Sequence, residues 1–72
     1  MSMRADREKL GLALARACMT TESLTRATGM PRPTVNNVLA GRSVRPATLG
    51  RIARALDCDP ADILAKEATA ND

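Results

Sequence analysis

The sequence predicts an all-α domain of five short helices, and three observations carry that prediction. Apolar residues recur at helical spacing in Leu10, Leu14 and Ala17, again in Val35, Val38 and Leu39, and again in Leu49, Ile52, Ala53 and Leu56. Gly29 stands at a turn before the second of these patterns and Gly41 where that pattern stops, and glycine is the least costly residue where a helix ends at positive φ. Asp59-Pro60-Ala61-Asp62 has the form of a helix start: a cap, a proline in the first turn, then an acid. With 72 residues the chain makes one domain. We assign residues 1–66 to that domain and 67–72 to a short polar tail.

Each element has its own local reason. The first helix is expected over about Arg4 to Ala17, capped by Ser2, with Ala13, Ala15 and Ala17 favouring helix. Its role is scaffold; Arg4 and Arg7 fit a phosphate contact and a solvated position equally. Thr20 caps a second helix over Thr21–Thr28, and Glu22 in its first turn complements the helix dipole. Gly29 makes the turn and Met30 pins it to the core. The third helix begins in Met30-Pro31-Arg32-Pro33-Thr34, where the prolines stiffen the entry and remove two N–H groups. Val35, Val38 and Leu39 share its inner face, while Arg32, Asn36 and Asn37 lie opposite. Ala40 to Pro46 is a loop with Gly41 as the stop. The fourth helix runs over about Ala47 to Leu56, and the fifth over Asp59 to Leu64.

Composition excludes several function classes. A chain of this length buries only about 60% of its unfolded surface, so stability is modest. Hydrophobic content of 44% suffices for a core, much of it alanine. The absence of Phe, Tyr and Trp argues against a single-strand binder built on stacking platforms. No apolar run approaches a membrane span, and the charges from Arg4 to Lys9 occupy the place of a signal-peptide core, so a cytoplasmic location is expected. There is no His, no phosphate loop and no nucleophile–base arrangement, so no enzyme signal, cofactor site or small-molecule ligand is read. Two cysteines, Cys18 and Cys58, are too few for zinc. In a reducing compartment both read as small packing residues, with a disulfide or redox pair as the alternative.

Charge is unevenly placed. Arg26, Arg32, Arg42, Arg45, Arg51 and Arg54 give +6 over 29 residues without an acid between them. From Asp57 onward the balance is −4. A basic centre and an acidic end suit a surface that holds phosphate and keeps its own acids away from it.

The stretch Thr21 to Ala40 resembles the helix-turn-helix of phage repressors and Cro-like regulators, the XRE-type family. In that pattern the turn glycine is ninth, with apolar residues at the fourth, tenth, fifteenth and eighteenth positions; here these are Gly29, Leu24, Met30, Val35 and Val38. The likeness runs from about Arg4 to Leu64, and implies a compact five-helix repressor-like fold. It also implies roles. Arg32 and Pro33 match positions that meet base edges near the start of the reading helix, and Asn36 and Asn37 match its middle. Arg32 can grip guanine, Pro33 can touch a thymine methyl, and Asn37 can pair with adenine. Thr21 stands where the family often has a phosphate-contacting Gln. Thr34, Arg42, Ser43 and Arg45 complete the implied phosphate set, which fixes register without reading sequence.

Three departures from the family pattern matter. Many members carry an ion pair at the places of Leu14 and Leu39; a double apolar replacement is tolerated where a single one is not, so these leucines are expected to touch. Pro31 stands where a Ser cap is usual. Thr25 replaces an Ala, and its hydroxyl is expected to bond the carbonyl of the preceding turn. Ile63 and Leu64 close the domain or join a dimer contact. The function implied is a sequence-specific regulator of transcription, a repressor bound to a pseudo-palindromic double-stranded DNA operator as a homodimer. The alternative is an antitoxin-type or interaction module that binds a partner protein, though no long tail follows Leu64 to wrap one.

Overall fold

The computed structural model describes residues 2–65. The polar tail expected over 67–72 lies outside them. Four α-helices follow in order: α1 (Arg7–Ala17), α2 (Thr21–Thr28), α3 (Arg32–Leu39) and α4 (Pro46–Ala55). A single 3-10 turn, Pro60–Asp62, comes last. The five-helix expectation is thus corrected to four helices and a turn. None of the described helices is long and apolar enough to cross a membrane.

The reason for that correction lies at the other end of the chain. Residues 2–6 do not extend α1. Met3 pairs with Val44 and Ala5 with Leu64 in isolated antiparallel bridges. The Ala65 amide donates to the Arg4 carbonyl at 2.9 Å, and the Asp6 amide to the Ile63 carbonyl at 2.7 Å. Leu64 must be extended to make these bonds, so the chain leaves helical geometry after one turn. The same pairing moves the start of α1 from Arg4 to Arg7, and its cap from Ser2 to Asp6. The Asp6 carboxylate accepts from the Glu8 and Lys9 amides at 2.9 and 3.0 Å.

Elsewhere local signals hold. Thr20 and Ser23 form a reciprocal capping box at the start of α2. The Thr25 hydroxyl donates to the Thr21 carbonyl at 2.8 Å, as its extra bulk requires. Leu10, Leu24, Val35, Val38, Leu49, Ile52 and Ile63 are fully buried in one cluster. Ile63 is therefore committed to the core of its own chain, and only Leu64 stays half-buried. α4 docks on α2 and on the final turn, while α3 docks on α2 and α1.

All four helices end at a residue in the left-handed region, but only two of these are glycine. Gly29 (φ 69°) and Gly41 (φ 80°) close α2 and α3; Cys18 (φ 55°) and Asp57 (φ 56°) close α1 and α4. At α1 the Cys18 amide bonds the Ala15 carbonyl and the Met19 amide the Leu14 carbonyl, the Schellman pattern. Cys18 is exposed there and does not serve as a packing residue; Cys58 alone packs against the core. Burial and then Asp62, Asp59 and Asp57 push the Cys58 thiol up, which keeps it protonated. Because a non-glycine residue in this region costs about 1–2 kcal/mol, Cys18→Gly should stabilise the domain. Glycine's freedom in the unfolded chain returns part of that gain, so the net expected is about 1 kcal/mol, read by denaturant unfolding.

Candidate nucleic-acid interface

The outward polar face lies on α3. Its inner side is fixed by Val35 and Val38, both fully buried. Helical spacing then turns Arg32, Pro33 and Asn36 to solvent, and all three are exposed. Asn37 is half-buried at the edge of the same face, and Thr34 is half-buried behind it. Gly29 presents α3 at its angle to α2: its amide donates to the Thr25 carbonyl at 3.0 Å, and Met30 beyond it is buried. The entry carries no side-chain cap, as Pro31 implies, and the Pro31 carbonyl accepts the Thr34 amide at 3.0 Å. With Pro31 and Pro33 lacking an N–H, this helix start holds an anion poorly.

The loop after α3 is basic. Arg42, Ser43 and Arg45 are all exposed. Their path is set at both ends. Gly41 and Arg42 close α3 with a Schellman pair, Gly41 amide to Val38 carbonyl at 3.1 Å and Arg42 amide to Asn37 carbonyl at 3.0 Å. Val44 is held in the bridge to Met3 by two bonds of 2.7 Å. A side chain at Gly41 would meet the Arg7 Cγ at 3.3 Å, so the loop lies directly against the start of α1.

That contact brings in a residue to which the sequence gives no decisive role. Arg7 is exposed beside the arginine loop, and it shares a shallow cleft with Glu8, Thr21, Leu14 and Leu39. Arg7 is thus placed with the predicted contact Thr21 and against Gly41, the neighbour of Arg42. The only signal for this was its positive charge, since the proximity is created by packing between distant parts of the chain. Leu14 and Leu39, expected to meet, are both half-buried and line that cleft together. Leu14→Arg should cost about 1–3 kcal/mol of stability. Adding Leu39→Glu should recover part of the loss, with a coupling of about 0.5–3 kcal/mol in a double-mutant cycle.

The basic run does not form a single surface. Arg51 and Arg54 line a groove on α4 together with Asp57 and Asp59, where acid offsets base. α3 and the loop after it carry Arg32, Arg42 and Arg45, and Arg7 lies against Gly41.

A two-helix unit with a glycine turn, an outward polar second helix and a basic loop has a known counterpart. Residues 9–68 match the Cro/C1-type HTH DNA-binding domain. The chain belongs to this family. Among solved structures, the Cro/C1-type fold seen here is similar to that of the transcriptional regulator VanUg. The two are 28% identical with a TM-score of 0.73, over 90% of this chain and 87% of that one. No curated protein matches the chain. Membership in the Cro/C1-type family gives the α2–turn–α3 unit its meaning: α2 braces, and α3 is presented.

Proposed function

We propose that this Cro/C1-type domain is a sequence-specific double-stranded DNA-binding regulator of transcription that acts as a repressor. α3 enters the major groove; Arg32, Pro33, Asn36 and Asn37 face the base edges. Arg7, Arg42 and Arg45, with Thr21, Thr34 and Ser43, hold the phosphates on either side. The observation that carries this reading is the exposed Arg32/Pro33/Asn36 face of α3, joined at Asn37 to the arginine loop. Polar groups on a rigid helix suit base readout, and cations on the adjoining loop suit register. The VanUg likeness supports the regulator role. A two-fold dimer covers a pseudo-palindrome whose half-sites lie about one helical turn apart.

The test is selection of duplex DNA from a random pool by the purified protein, followed by sizing of the complex on the winner. The expected result is an inverted repeat bound by two chains. Asn37→Ala should then weaken binding to that site by about 1–3 kcal/mol while leaving non-specific binding in place. A pool that enriches no sequence overturns the reading. In that event copurification with a partner protein would favour the antitoxin-type alternative.

A further inference from the structure

The fold of Arg42 back onto α3 sets a direction for Asn37. The Arg42 guanidinium Nη1 donates to the Asn37 side-chain oxygen Oδ1 at 3.2 Å. The backbone of the same two residues is already joined, since the Arg42 amide bonds the Asn37 carbonyl at 3.0 Å. Gly41, between the end of α3 and Arg42, adopts φ 80° and abuts Arg7, so the loop has little room to swing away. A Schellman end usually brings together apolar side chains at these two sites. Here an arginine and an asparagine replace them, so the contact becomes a directed hydrogen bond.

Arginine has five donors and no acceptor, so only the oxygen of the Asn37 amide can face it. The amide nitrogen occupies the other branch. We propose that Arg42 is a positioning residue that fixes the Asn37 amide with its NH2 toward DNA, so that the protein reads guanine at that base pair. This rests on the base-reading role proposed above for Asn37. An asparagine whose oxygen is free bonds adenine in a bidentate way, accepting from N6 and donating to N7. With the oxygen turned toward Arg42, the NH2 is the group turned toward the groove, and it offers two donors. Guanine presents two acceptors there, O6 and N7, and no donor on its own edge. Arg42 thus has a second role beside phosphate contact: it selects which purine its neighbour accepts.

The experiment is the same selection run on four proteins. Asn37→Ala identifies the base pair that Asn37 reads as the column that loses preference. The unaltered protein should show guanine in that column. Arg42→Met keeps an unbranched stem without the guanidinium and removes every side-chain donor; it should shift that column toward adenine by about tenfold in relative affinity, with the other columns unchanged. Arg45→Met removes a charge from the same loop without a bond to Asn37; it should weaken all sequences alike and leave the column as guanine. Adenine in the unaltered protein overturns the proposal, as does guanine retained in Arg42→Met, or an operator in which no column responds to Asn37→Ala. Failure of every protein to select any sequence instead overturns the DNA-reading role itself.

Discussion

Ile52→Ala should lower the stability of the domain by about 2–5 kcal/mol. Ile52 is fully buried on α4 where that helix docks on α2 and the final turn. Removing its outer carbons leaves a cavity, and the core contains no aromatic ring to move into it, because the sequence has none. Domains of this kind are held by only about 5–15 kcal/mol in total, and a small domain loses about 4–8 °C of melting temperature for each kcal/mol. The expected fall is therefore about 8–40 °C, measured by thermal unfolding. Leu12→Ala is the matched comparison: Leu12 is 55% exposed on α1, and its truncation should change stability little. A small effect at Ile52, comparable to that at Leu12, would contradict the packing described here.

The second large effect is on binding. Raising salt from about 50 to about 200 mM should weaken operator binding roughly a thousandfold. With Arg7, Arg42 and Arg45 at phosphates in each chain, a dimer displaces counterions from about six sites, and each contributes about 0.9 to the salt slope. Arg45→Ala should reduce that slope by about one for each chain of the dimer. The readout is the affinity for the selected duplex measured across a salt series. An affinity that barely moves with salt would mean that the loop arginines do not contact the backbone.

The parts of this molecule that were legible in the sequence are those whose cause is local. Thr20 and Gly29 bound α2 at both ends, and Gly41 follows α3, because caps and left-handed stops act within one turn. The inner face of α3 follows from the spacing of Val35 and Val38. The start of α1 and the loss of a fifth helix were not legible, because both follow from residues 3 and 5 pairing with residues 44 and 64. No local pattern marks Met3 or Leu64 as extended. The left-handed Cys18 was hidden for a different reason: its stop is imposed by the path into α2, against the preference of its own side chain. The charge run misled in part, since neighbours in sequence such as Arg45 and Arg51 sit in different surroundings once α4 turns toward the final turn. The link from Arg42 to Asn37 spans only five residues, yet it depends on the geometry of the helix end and so escaped a reading by residue type.

The two bridges have a kinetic meaning as well. They join points roughly 40 and roughly 60 residues apart, whereas every helix forms from neighbours. Closing such long loops carries an entropic cost before any bond rewards it. The helical body should therefore assemble first and the extended segment around Met3 should close over it last. Val44 ends the arginine loop, so that loop reaches its final path only at this late step. On that order the helices should form early in folding, and the arginine loop should take its final path only when the most distant segments have met.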